Sequence, residues 1–64
     1  MNVDLIVRLV GMEKTKVKRV SNITLKRARE LFKFNEEKIE MARAVKFDGW
    51  HWQIVEWLKK EVKQ

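Results

Sequence analysis

The sequence has no cysteine and no proline, two glycines, and among its 64 residues a single serine, Ser21, and a single histidine, His51. Without cysteine, a small chain has no disulfide to staple it and no thiolate for zinc. The lone serine and histidine would have to meet by chance to form a nucleophile and base pair, and no glycine-rich phosphate loop is present. Ser21 reads as a turn or cap residue, and His51 as a surface residue at a helix start. Asp48 and His51 are two potential metal ligands without a third. No enzymatic activity, cofactor or metal site is therefore expected. No apolar run approaches the ~18 residues of a membrane span or the ~7–15 of a secretory signal core. The expectation is a soluble, cytoplasmic protein without membrane contact.

What the chain does have is basic charge and aromatic bulk. Hydrophobic residues make up 45%, with three tryptophans and three phenylalanines, enough for a packed core and unlike a disordered basic tail. The length allows one small domain, residues 1–64, near the lower size limit for independent stability, so a homodimer through the first strand or the tryptophan segment is expected. Fifteen Lys and Arg against nine Asp and Glu give a net charge of +6. That charge is polarised: residues 1–34 hold nine basic residues and three acids, whereas residues 35–64 hold six of each. Between Lys14 and Lys33 lie eight basic residues and only Glu30 opposing them. One-sided basic charge steers and holds a polyanion, by counterion release if the partner is nucleic acid.

From Val3 to Val10, Val3, Leu5, Val7 and Leu9 alternate with Asp4, Ile6, Arg8 and Val10 and β-branched types are common, which predicts a strand; a short helix capped by Asn2 is the competing reading. A turn at Gly11 to Glu13 and renewed alternation from Lys14 to Val20 complete a hairpin, with Lys14, Lys16 and Lys18 on one face and Arg19 on the other. The polar cluster Ser21, Asn22 and Thr24 can cap a helix over about 25–33 whose inward arc is Leu25, Ala28, Leu31 and Phe32. Lys26, Arg29 and Lys33 form a basic stripe beside that arc. Asn35 followed by Glu36 and Glu37 marks a second helix over about 36–46, with Ile39, Met41, Ala42 and Val45 inward and Arg43 outward. A third helix from Trp50 to Val62, capped by Asp48, would bury Trp50, Ile54, Val55, Trp57 and Leu58 and leave Trp52 outside with Glu56, Lys59 and Lys63. The alternative for that segment is a hairpin turning at Asp48-Gly49, with Val45 and Phe47 facing Trp50, Trp52 and Ile54.

The expected architecture is thus α+β, an N-terminal β-hairpin packed on two or three short helices. A winged helix-turn-helix with a C-terminal hairpin is the alternative. Thr24 to Val45 has the length and apolar pattern of a helix-turn-helix, and with the β-rich start and the Phe47 to Ile54 stretch ending in Glu56, Trp57 and Leu58 the chain resembles small winged-helix excisionase-type regulators. That resemblance implies DNA contact through the second helix. The chain departs from it where the segment between Ile54 and Trp57 is too short and no glycine marks the turn near Phe32 to Asn35. Glu36, Glu37 and Glu40 would also repel phosphates at the start of the recognition helix. The chain is not assigned to that family.

The leading functional expectation is a small nucleic-acid-binding protein, a regulator or accessory factor with DNA favoured over RNA, contacting phosphates through Lys14, Lys16, Lys18, Arg19, Lys26, Arg29 and Lys33. The second is a protein-binding module or inhibitor that docks on an acidic protein surface through Trp52, Lys59 and Lys63, since tryptophan is enriched at interface hot spots.

Overall fold

A computed structural model describes residues 2–60. Its elements are β1 (Asn2–Leu9), β2 (Lys18–Thr24), α1 (Leu25–Phe34), a 3₁₀ turn (Glu36–Lys38), β3 (Ile39–Phe47) and β4 (Trp52–Leu58). The four strands form one antiparallel sheet in the order β2-β1-β3-β4, and α1 lies across one of its faces. This architecture overturns the expected hairpin on two or three helices, and equally the winged helix-turn-helix.

Two local readings correspond to observed elements. The alternation of β1 is that of a strand, and α1 starts where Thr24 Oγ1 accepts the Arg27 N–H at 3.1 Å, satisfying a donor that the first helical turn leaves free. The lysine strand is displaced. β2 begins at Lys18, so Lys14 and Lys16 lie in the preceding loop and share no strand face with it. Ser21 and Asn22 belong to β2, where an extra residue opposite Asp4 bulges the ladder. Asn22 takes φ 59° there, a left-handed conformation that asparagine tolerates better than most, and its N–H donates to Asp4 Oδ1 at 3.0 Å.

The second expected helix, 36–46, is instead a single 3₁₀ turn and a strand. Asn35 caps backward: its N–H and its side-chain Nδ2 both donate to the Leu31 carbonyl, closing α1 where a new helix was expected to open. Alanines 42 and 44 favour a helix by intrinsic propensity, but here they serve by being small. Both are fully buried in one cluster with the fully buried Ala28 of α1, which lets the helix approach the sheet closely. Val3, Leu5, Val7, Phe32 and Ile39 complete this core.

The third expected helix is β4, and the hairpin reading of that segment is nearer the observed fold. The register pairs Phe47 with Trp52 and Val45 with Ile54 across a turn spanning Asp48 to His51, longer than the two-residue turn expected. Gly49 has φ 101°, which a side chain would strain. Residues 61–64, and with them Val62 and Lys63, lie outside the described residues.

Candidate functional site

Alternation along the strands divides the sheet into two faces. Leu5, Val7, Ala42 and Ala44 face α1. On the opposite face, uncovered by any element among the described residues, register partners follow one another across all four strands: Arg19 of β2, Ile6 of β1, Arg43 of β3 and Trp57 of β4. A second row holds Asp4, Val45 and Ile54, and a third pairs Phe47 with Trp52.

This open face has a buried centre and a polar, aromatic surround. Ile6 and Val45 are buried although no helix covers them. The Arg19 guanidinium carbon lies 4.7 Å from the Trp52 ring centroid, and that of Arg43 lies 5.6 Å from the Trp57 centroid. Both are within cation–π range. Phe47 meets Trp52 with ring centroids 5.2 Å apart and planes tilted by 53°, a favoured arrangement for an aromatic pair. Ile6, Val45, Arg19, Arg43, Trp52 and Ile54 line a groove of about 400 Å³.

Ion pairing decides which basic groups remain available. Arg19 stands 3.8 Å from Asp4, a loose contact, and Arg8 pairs with Glu40 at 3.2 Å. Arg43 has no ion pair among the described residues. Arg8 Nη1 also lies 3.5 Å from the Lys14 carbonyl, which brings the loop carrying Lys14 and Lys16 beside an open-face residue. Lys16 makes a long 4.0 Å contact to Glu13.

The structure does not gather the basic residues picked out by sequence onto one surface. Arg19 is on the open face, whereas Lys18 is the register partner of Val7 and lies on the helix side. Lys26 and Lys33 are exposed on α1. Arg29 is occupied: its Nε and Nη2 donate to the two carboxylate oxygens of Glu56 at 2.9 and 2.6 Å, a forked pair joining α1 to β4. Trp52 and Trp57, expected on opposite sides of a helix, share the open face and are 48% and 49% exposed. Trp50, expected in the core, is 90% exposed in the β3–β4 turn. Lys59 is exposed just beyond β4.

Sequence reasoning missed Trp57 as a surface group, and it placed Arg43 on the outer face of a helix rather than beside Trp57 and Phe47 on one face of a sheet. The available signal was the alternation Arg43, Val45, Phe47 followed by Trp52 and Ile54, which fits the hairpin reading alone.

Asp48 organises that hairpin. Its Oδ1 accepts the N–H groups of Trp50 and His51 at 2.8 and 2.9 Å, and its Oδ2 accepts from Gln53 Nε2 at 2.8 Å. The backbone donors of His51 and Trp50 hold the Asp48 carboxyl below its ordinary range, and the Arg29 hydrogen bond does the same for Glu56. A carboxylate whose pKa is depressed on folding contributes stability above its unfolded value and loses it as pH falls through the folded one. The thermal midpoint is therefore expected to fall as the solution is acidified below about pH 4. Asp48→Asn and Glu56→Gln should each start lower at neutral pH and show a shallower acid decline. An unchanged decline in both variants would contradict this account.

Ser21 sits in β2 and His51 in the β3–β4 turn, and no group of three His, Cys, Asp or Glu is placed to hold a metal ion among the described residues. No helix among them is long and apolar enough to cross a membrane. No protein-family model, curated protein or solved structure matches the chain.

Proposed function

We propose that the protein binds nucleic acid, with the open face of the sheet as its contact surface. The observation that carries this reading is the juxtaposition of Arg19 and Arg43 with Trp52 and Trp57 on one uncovered sheet face. Arginine presents a planar fork that matches phosphate and stacks on rings, and indoles present flat apolar surfaces, so one face offers both chemistries that a nucleotide needs. The net charge of +6 draws a polyanion in, and the loop bearing Lys14 and Lys16 extends the basic surface beside Arg8. Relative to the sequence-based expectation, Arg19 keeps its assigned role, Arg43 joins it, and Lys18, Lys26, Arg29 and Lys33 are left out.

The test is a fluorescence-anisotropy titration with labelled single-stranded and duplex oligonucleotides at two salt concentrations. Binding should weaken steeply with salt, with a log–log slope of about −2 to −3 for three or four neutralised phosphates on a single strand. The Arg19→Ala, Arg43→Ala double variant should bind at least about tenfold more weakly, while Lys26→Ala, Lys33→Ala should differ little. No binding at low salt, or a flat salt dependence, would defeat the proposal.

A second reading is a protein contact, with an acidic surface or a second copy, along β4. The half-exposed Trp52, Ile54, Val55 and Trp57 of that edge strand favour it. Sedimentation across a concentration series would show a dimer in the second case, and Trp57→Ala should then dissociate it.

A further inference from the structure

We infer that the open-face groove takes unpaired nucleobases, and that Arg19 and Arg43 occupy the indole faces until a strand arrives and then transfer to its phosphates. The inference rests on the nucleic-acid reading and narrows it to single strands. Four strands at ~4.8 Å spacing make a surface ~14 Å wide before side chains are added, broader than the ~12 Å major groove that admits a helix or a two-stranded ribbon. A duplex also keeps its base faces inside the stack, where Trp52 and Trp57 cannot reach them. A single strand can splay its bases onto flat side chains.

The groove fits a base face. Its floor is Ile6 and Val45, both buried and apolar, and its walls are Ile54, Trp52 and the two arginines. Apart from those arginines and the indole N–H of Trp52, the side chains lining it are aliphatic and carry no hydrogen-bonding group, so the site grips bases with little means of telling them apart. Trp52 and Trp57 provide two stations five positions apart along β4, with the bulged Val55 between them, about 13–16 Å at ~3.3 Å per residue. Each station already holds a guanidinium, at 4.7 and 5.6 Å from the ring centroid. These contacts are partly solvent-exposed and weak, and among the described residues the only carboxylate on Arg19 is Asp4 at 3.8 Å, so a phosphate outcompetes them while a base takes over the vacated ring.

The experiment titrates the full chain with a mixed-sequence 12-mer single strand, its duplex, (dT)₁₂ and (rU)₁₂ at low salt, read by anisotropy and tryptophan fluorescence. The single strand should bind at least about tenfold more tightly than the duplex, with indole quenching. The two homopolymers show which sugar is preferred, and binding of either supports the inference. Trp52→Phe, which keeps a ring, should retain most of the single-strand affinity, whereas Trp52→Ala should lose about tenfold on the single strand and leave any duplex binding unchanged. Equal affinity for strand and duplex, with Trp52→Ala silent, would overturn the unpaired-base inference and leave nucleic-acid binding standing. No binding to any of the four ligands would overturn both.

Discussion

Truncating Phe32 to alanine is expected to lower stability by about 3–5 kcal/mol, the range for removing a large aromatic from a core. Phe32 is 7% exposed, and it is the largest ring in the cluster formed with Val3, Leu5, Val7, Ile39 and the three buried alanines. Those alanines have no side-chain length with which to fill the space it would leave, so the cavity would persist. At ~0.05–0.15 kcal/mol per residue, a chain of this size has about 3–10 kcal/mol in total, and the variant should be largely unfolded at moderate temperature. Phe34 provides the control. It lies two residues further along α1, is 89% exposed, and its alanine variant should unfold within about 0.5 kcal/mol of the parent. Urea denaturation followed by circular dichroism measures both. Similar midpoints for the two variants would show that α1 does not pack on the sheet in this way.

Replacing Trp52 and Trp57 together by alanine should reduce single-strand affinity by about a hundredfold, since each stacked base contributes ~1–3 kcal/mol. The same change should cost only about 1–2 kcal/mol of stability, because both rings are half exposed and only Trp52 lines the groove over Ile6 and Val45. Trp50→Ala should alter neither quantity much, given that its ring is almost wholly in solvent. The geometry thus separates three tryptophans that a helical wheel had sorted differently, with Trp50 and Trp57 inside and Trp52 outside. A loss of 3–5 kcal/mol on truncating Trp57 alone would restore the wheel and refute the shared face. Isothermal titration with an oligonucleotide, paired with thermal unfolding, measures both effects.

The parts of the fold that could be read in the sequence are those where one period runs uninterrupted. β1 keeps Val3, Leu5 and Val7 two residues apart on one face, with β-branched residues common along it, and α1 pairs a 3.6-residue apolar arc with a threonine cap. β3 and β4 resemble helices in sequence because each carries a bulge. The extra residue at Glu40 puts Ile39 and Ala42 on the same face at a spacing of three, and the extra residue at Val55 does the same for Ile54 and Trp57. Spacings of three mixed with spacings of two imitate a helical repeat. Ala42 and Ala44 deepen the ambiguity, since alanine is the best helix former and here is selected for its small volume. The open face inherited these errors. Trp52 and Arg19 stand out in the sequence, but a helical reading puts Arg43 outside one helix and Trp57 inside another, so the row that joins Arg19, Arg43 and Trp57 is visible only from the strand register.

The most direct measurement is a two-dimensional amide NMR titration of the labelled protein with (dT)₁₂. Shifts are expected to cluster on Ile6, Arg19, Arg43, Trp52 and Trp57 and to include the indole N–H signals of both tryptophans, while Lys26 and Lys33 on α1 stay unmoved. Shifts confined to α1 around Lys26 and Lys33, with both indole signals fixed, would contradict the assignment of binding to the open face.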